Sequence, residues 1–376
     1  MTLSNQIKLT IPTLLILGFW ATTLLIIPPF TSWGTKMFIG AIISLLCFVS
    51  SVKEGTKIER DNFFWGLFVV FSMGVYFMQP NVKHGNYEIY NSLRTVLLIL
   101  CYYLGYLSIS NHKFSDSETN MVQWHLMAIG TLIGAYVIFQ YFGFDEFFDF
   151  RSDTVTSVNS KNPHLFGTLG NSRICGAFLL LIIPYVLVMR QWIFGAIILV
   201  AIVLIESKMV FFGGAAMFLF LFARSRREFY GIFVIVILIA IAYYQLGHHD
   251  SGRLHEWTSV WKVFQSRILV GQHVFTGFGF ESFRTINRMI GSAWWPIHNE
   301  YFEILWATGF IGFGLFLAGF VKEINELSAA RRTADLLVVL ASIVMAFWLF
   351  IWQIGPIALL TVYALGMSKQ HDDTAR

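Results

Sequence analysis

Charge is what this 376-residue chain has least of: Asp, Glu, Lys and Arg together make up 13% of it, about half the share of a soluble domain. With a mean hydropathy of +0.64, that scarcity excludes a disordered segment and a nucleic-acid-binding domain. Cysteine is rarer still. Cys47, Cys101 and Cys175 lie in apolar runs without C-x-x-C spacing, so they offer neither a disulfide framework nor a zinc ribbon and read as small core residues. No G-x-x-x-x-G-K-[ST] loop occurs, which argues against work driven by bound ATP. Asp and Glu are missing from the middle of the apolar runs and sit at their ends, as Glu206, Glu300 and Glu303 do. A proton-coupled transporter would place its acidic relay mid-membrane, and its fold would favour a repeat between halves that is not visible here.

What is present is apolar mass. Hydrophobic residues make up 56% of the chain, with 38 Phe, 12 Trp and 14 Tyr, more than the core of a soluble fold can bury. The expectation is an all-α polytopic membrane protein, one transmembrane domain over 1–376. A bilayer core of about 30 Å needs roughly 20 apolar residues in a helix. Such runs lie near 10–30, 35–52, 63–79, 92–109, 121–143, 174–189, 229–246 and 300–321. The first follows Lys8 without a small-x-small cleavage site, so it reads as a retained span and not a removed signal. The stretches 192–223 and 335–367 would each reach about 48 Å as one helix, too long for a single crossing. Glu206-Ser207-Lys208 and Trp352-Gln353-Ile354-Gly355-Pro356 divide them, the first by charge and the second by proline. About twelve spans result.

Lys and Arg then set the orientation. With the N-terminus inside, the short inner loops carry Lys53, Lys57, Arg60, Lys113, Arg190, Arg224, Arg226, Arg227, Lys322, Arg331 and Arg332. The outer loops apart from 247–298 carry Lys36, Lys83, Arg94, Arg151, Lys161, Arg173 and Lys208. The bias puts both termini in the cytoplasm. Two larger loops face outward, 144–173 and 247–298, and the aromatics of the second suit helices in the membrane interface.

One set of cations gathers on the outer side: Arg173, Lys208 and Arg253, with the ring nitrogens of His298. Each has an ordinary explanation taken singly. Arg173 and Lys208 suit snorkelling from helix ends, Arg253 suits a surface ion pair with Glu256, and His298 suits a helix cap. His248, His249 and Asp250 read as a solvated turn, since no second ligand pair at metal spacing accompanies them.

Their sequence context is more specific than the residues themselves. Gly167-Thr168-Leu169-Gly170-Asn171, Ser207-Lys208, Ser251-Gly252-Arg253-Leu254 with Trp257, the segment Thr-Gly-Phe-Gly-Phe-Glu-Ser-Phe at 276–283, and the helix from His298-Asn299-Glu300 to Gly312 follow in order. Over roughly 160–367 this resembles the O-antigen ligase and Wzy-type polymerase family; the first five spans match only as hydrophobic helices. The resemblance implies a GT-C-like, metal-independent, inverting membrane glycosyltransferase of the bacterial inner membrane. Such an enzyme moves a glycan from undecaprenyl diphosphate, in the ligase to a lipid A-core sugar and in the polymerase to another lipid-linked repeat unit. It places the essential histidine on His298 and the phosphate-binding arginine of the large loop on Arg253. Where the family has a further arginine after a serine, this chain has Lys208, a point charge in place of a planar fork.

The implied chemistry suits these residue types. A diphosphate leaves as a stable anion and needs no acid, but fixed cations must hold its growing charge, the task of Arg253, Arg173 and Lys208. The acceptor hydroxyl needs a base, and an imidazole works near neutral pH. A helix N-terminus keeps His298 neutral, as a base must be, with Asn299 or Glu300 to orient it. No D-x-D pair stands on the outer side, so neither a metal nor another cofactor is expected. A transporter of lipid-linked glycans is the alternative of a different class.

Overall fold

The computed structural model of the chain describes residues 9–24, 33–56, 63–78, 86–144, 167–169, 171–222, 231, 261–262, 273–280, 282–283, 299–347, 352 and 354–370. Among these residues the fold is all-helical, without a strand. Long runs of Leu, Ile, Val and Phe with no water to bond their backbone have one local solution, the i to i−4 ladder. The helices are α1 (Ile11–Leu24), α2 (Trp33–Lys53), α3 (Phe63–Met78), α4 (Asn86–Asn111), α5 (Asp116–Tyr141), α6 (Ser172–Val188), α7 (Trp192–Ile205) and α8 (Lys208–Phe222). After a single helical turn at His273–Thr276 come α9 (Glu300–Ala329), α10 (Thr333–Met345) and α11 (Gly355–Gly366), which ends in a 3-10 turn at Met367–Lys369.

Polar residues fix the ends. Ser115 and Glu118 form a capping box on α5, the Glu118 N–H donating to Ser115 Oγ at 3.3 Å and the Ser115 N–H to Glu118 Oε2 at 2.8 Å, which satisfies two backbone donors at once. Glu206 adopts a left-handed φ of 50°, so the chain reverses between α7 and α8 at the Glu-Ser-Lys turn, as expected. The second expected break also occurs: α10 stops at Met345 and α11 starts at Gly355, with Pro356 in its first turn, where its missing N–H costs nothing.

Among the described residues four helices are long and apolar enough to cross a membrane, over Thr35–Lys53, Leu93–Asn111, Asp116–Tyr141 and Glu300–Ala329, beside several shorter apolar helices. Eleven of the expected spans coincide with helices; the twelfth, 229–246, lies outside the described residues but for residue 231. The outward faces are apolar too. Ile193 is 77% and Phe211 72% exposed, a surface suited to lipid and not to water. Inside, Leu15, Phe19, Met127, Ile133, Phe178, Leu340 and Tyr363 belong to one continuous core. Several buried hydroxyls return to their own helix, as Thr22 does to Gly18 O at 2.7 Å and Thr361 to Ile357 O at 2.9 Å, which satisfies them in place, whereas those of Ser51, Ser72 and Tyr363 are buried without a partner.

Contacts between helix ends sort into two sets. At one end Lys36 of α2 meets Thr168 before α6, and Asn299 before α9 meets Phe347 after α10. At the other, Ser50 of α2 meets Leu9, Tyr185 of α6 meets Asp335 of α10, and Gln370 meets His112 after α4. This is the alternation that successive crossings produce; by the sequence-based orientation, the first end is the outer one.

Three sequence expectations need correction. Lys36 lies inside α2 and not in a loop, and it is 2% exposed. Lys322 likewise lies inside α9, which runs eight residues beyond the expected 321. Carboxylates are not confined to loops and span ends: Glu323 lies inside α9 and is 0% exposed.

Candidate functional site

Helix α9 is broken. At Gly309 the backbone takes φ 62° and ψ −168°, a region essentially closed to residues with a Cβ. The break is filled by the segment 275–283, whose Phe278 N–H donates to Trp306 O at 2.8 Å and Gly279 N–H to Ala307 O at 2.9 Å. Those two carbonyls end the first half of α9 and would otherwise lack partners in an apolar medium. The approach is backbone to backbone. A Cβ on Gly309 would stand 2.5 Å from the Phe275 carbonyl, and one on Gly277 2.3 Å from Ala307 O. Trp306 locks the joint: its Nε1–H donates to Ser282 Oγ at 2.9 Å, Ser282 donates to Gly279 O at 2.7 Å, and the Phe278 ring lies 4.5 Å from the indole. Thus the glycines of 276–283 and of Thr308-Gly309 serve one joint.

The start of α9 is held as firmly. Asn299 is its N-cap, accepting from the Phe302 N–H at 3.0 Å through Oδ1, while its Nδ2 donates to Phe347 O at 3.1 Å. Both polar ends of this buried side chain therefore tie α9 to the end of α10. The Glu300 N–H donates to Ala346 O at 3.0 Å. With Glu303, the Glu300 side chain lines a cavity of about 170 Å³ whose remaining wall is largely aromatic, including Trp65, Tyr102, Phe316 and Trp352. It runs between α3, α4, α9 and α11, from the Glu300 end toward Tyr106 and Leu365.

Of the cations expected at the outer end, Arg173 is half-buried in the first turn of α6, whose N-cap Asn171 accepts from the Arg173 N–H at 2.9 Å and the Ile174 N–H at 3.3 Å. Lys208 is exposed at the first residue of α8. His298 and Arg253 lie outside the described residues. The turn 167–169 is gripped from two helices. Gly167 N–H donates to Gln140 Oε1 of α5 at 2.9 Å, and Lys36 Nζ of α2 donates to Thr168 O at 2.5 Å. Gly355, first in α11, lies against the Lys36 backbone so closely that a Cβ would stand 2.0 Å from its carbonyl oxygen. Lys36 and Gln140 were not singled out by sequence reasoning; the signal was a polar residue just inside the end of an apolar run.

The opposite end holds a second polar group. Asp335 accepts from the Tyr185 hydroxyl at 3.0 Å and from Arg332 Nε at 3.0 Å. Burial works most strongly to lower the Arg332 pKa, but the Asp335 carboxylate beside it and the Tyr363 and Tyr185 side chains nearby together outweigh that and the net shift is upward, so the guanidinium stays charged. Tyr106 donates to Glu323 Oε1 at 2.7 Å. Among the described residues no cluster of three His, Cys, Asp or Glu side chains is arranged to hold a metal ion. No family model matches the sequence, and no curated protein matches it.

Proposed function

We propose that the chain is an O-antigen ligase-like glycosyltransferase. It moves a glycan from undecaprenyl diphosphate to a lipid A-core sugar hydroxyl, in a bacterial inner membrane with the site on the periplasmic side. The observation that supports this reading best is convergence. The turn 167–169, the segment 276–283 and the helix that opens at Asn299 are far apart in sequence, yet each docks at or below the same end of the bundle: Thr168 on Lys36 and Lys36 on Gly355, Asn299 on Phe347, and Phe278 on Trp306 of that helix. These are the segments that carry the family resemblance.

In this reading Arg253, Arg173 and Lys208 hold the diphosphate, and their charge stabilises the leaving group most strongly as its bond to the anomeric carbon breaks. His298 stands one residue before the N-cap of α9, where the helix dipole disfavours an imidazolium. It takes the proton from the acceptor hydroxyl as that oxygen attacks the anomeric carbon from the opposite face. The donor bond supplies the driving force, and no cofactor enters. The aromatic cavity beside Glu300 adds a water-poor wall, in which each charge–charge contact is strengthened.

Incubation of the purified protein in bilayers with a lipid-diphosphate glycan, and with either lipid A core or a second donor molecule, tests the reading. Extension of the core supports the ligase, and extension of the second donor replaces it with the polymerase. Extension of neither overturns the transferase. The buried Glu323, bonded to Tyr106 inside the bundle, favours a second reading, a transporter of lipid-linked glycans, since buried acids mark proton paths in such proteins. Movement of the donor across vesicle membranes without transfer would select it.

A further inference from the structure

At the outer end, three side chains with unused hydrogen-bonding capacity converge on one turn. Lys36 is the first. Its ammonium is 2% exposed, its one hydrogen bond among the described residues goes to the Thr168 carbonyl, and no described carboxylate forms an ion pair with it. One neutral carbonyl uses one of three N–H donors and cancels none of the charge. Gln140 is the second. It is 5% exposed, and because its Oε1 must accept from the Gly167 N–H, its Nε2 is fixed as the free end, buried with no partner. The third is the Thr168 hydroxyl, also buried with no partner. Gly167 and Thr168 are adjacent, about 3.8 Å apart along the chain, so Gln140 and Lys36 grip neighbouring residues of a single turn. That turn leads directly into Asn171 and the N-terminus of α6, which carries Arg173.

Buried donors left without acceptors are costly, about 1–3 kcal/mol each in protein interiors, and a buried cation without a counter-charge costs more. Lys36 and Gln140 Nε2 can only donate, and the Thr168 hydroxyl can donate as well as accept; with Lys36 positive and no described carboxylate paired with it, an anion satisfies all three. Core packing alone would be served by an apolar side chain in place of Lys36. We infer that Lys36, Gln140 and Thr168 form, with Arg173 at the α6 N-terminus, a binding site for phosphate oxygens, and that Lys36 is its buried cation. This rests on the glycosyltransferase reading in one respect, that the anion is the diphosphate of the lipid donor. The site lies beneath the outer end of α2, where Lys36 and Gln140, which belong to no family motif, grip the motif turn at Thr168 and Gly167, and Lys36 acts in binding, not as base or nucleophile.

The test uses the full chain in phosphatidylcholine nanodiscs, so that no anionic headgroup competes. Undecaprenyl diphosphate, inorganic pyrophosphate and undecaprenol are the probes, with dissociation constants and thermal midpoints measured for each. Lys36→Gln retains a donor for Thr168 O and removes the charge. Gln140→Glu retains the acceptor for the Gly167 N–H and replaces the free donor by an acceptor. Both variants are expected to bind undecaprenyl diphosphate about tenfold more weakly or worse, the scale of a lost charge-assisted hydrogen bond, with undecaprenol binding unchanged. The midpoint of ligand-free Lys36→Gln is expected to be equal to or above that of the parent chain, because an uncompensated buried charge has gone. Pyrophosphate binding with the same Lys36 dependence would show that the head group alone suffices, and its absence with lipid binding intact would show that the chain must anchor it. Unchanged affinity in Lys36→Gln overturns the inference, as does equal binding of undecaprenol and undecaprenyl diphosphate by the parent chain. If Lys36→Gln does not fold, wild-type affinity in Gln140→Glu overturns it instead. No acceptor is present, so weakened lipid binding in a chain that transfers no glycan would uphold the site and reject the enzyme. Wild-type affinity in a Lys36→Gln chain that still transfers would do the reverse.

Discussion

Gly309→Ala is the sharpest test of the joint at the break in α9. The parent backbone at this position has φ 62°, and forcing a residue with a Cβ into such a region costs about 1–3 kcal/mol. Steric overlap adds to that. The new methyl would stand 2.5 Å from the Phe275 carbonyl carbon and oxygen and 2.6 Å from the Gly277 nitrogen, and these are backbone atoms that cannot rotate away. Overpacking of this kind costs roughly a further 1–3 kcal/mol. The segment 275–283 must therefore lift from α9, breaking the bonds from Phe278 and Gly279 to Trp306 O and Ala307 O. A total near 3–4 kcal/mol follows as an order of magnitude. Gly314→Ala is the control. It lies in the same helix with nothing within 4 Å of its Cβ position, so it should be neutral or gain up to about 1 kcal/mol from helix propensity. Thermal unfolding in nanodiscs and the transfer assay, run on both variants, should show lower stability and lost transfer for Gly309→Ala alone. A Gly309→Ala chain as stable as Gly314→Ala would refute the docked joint.

Other expectations are more compact. His298→Ala should lower single-turnover transfer by about 10²–10⁴ while donor affinity stays near wild type. Arg253→Ala should weaken donor affinity as well, with Arg253→Lys recovering only part; equal affinity loss in both alanine variants would move His298 into the phosphate site. Transfer should persist in excess chelator, and loss of activity restored by Mg²⁺ or Mn²⁺ would reject the metal-free mechanism. Asp335→Ala strands the buried Arg332 and the Tyr185 hydroxyl and should destabilise the chain by about 3–5 kcal/mol, whereas Asp335→Leu with Arg332→Met should recover most of it; additive losses on unfolding would show that the two residues are not a pair.

The fold was most legible where a residue type leaves the chain no choice. Glu206-Ser207-Lys208 cannot stay mid-membrane and Pro356 cannot continue a helix, so both long apolar stretches were divisible from sequence, and both breaks lie where charge and proline put them. The break at Gly309 was not legible by the same rules. In Ala307-Thr308-Gly309-Phe310 the glycine is one of several in an apolar run, and a lone glycine is tolerated in a helix; only a segment some thirty residues upstream, supplying two N–H donors, makes this one a stop. The end of α9 was misjudged for a related reason. Lys322 and Glu323 read as a loop, but Glu323 turns inward to the Tyr106 hydroxyl and Lys322 pairs with Glu326 at 3.3 Å one turn on, so the helix continues through both charges. For the site, sequence found the cations whose surroundings carry a motif and missed Lys36, whose significance depends on being buried against Thr168.

The treatment of charge at the two ends of the bundle bears on what each end does. Asp335 and Arg332, 2% and 11% exposed in their side chains, neutralise each other, and Tyr185 supplies a further donor to the carboxylate. Such a cluster holds α6 and α10 together and pairs its charges, although Arg332 Nη2 and the Tyr363 hydroxyl stay buried without a hydrogen-bond partner. At the other end, Lys36 is buried to the same degree with a carbonyl as its partner and two more polar donors idle nearby. A helix bundle gains nothing in stability from that arrangement, since a methionine would fill the space and cost no desolvation. The two ends therefore differ at these residues: among the described residues Arg332 has a carboxylate partner in Asp335, whereas Lys36 has a carbonyl, which leaves a local positive remainder on the side where Arg173 begins α6. An enzyme that must grip an anionic leaving group in a water-poor setting needs that remainder in place before its substrate arrives, because cations already oriented and desolvated need no rearrangement as charge develops. Measured stability and donor affinity should accordingly move in opposite directions when Lys36 loses its charge, and in the same direction when Asp335 loses its carboxylate.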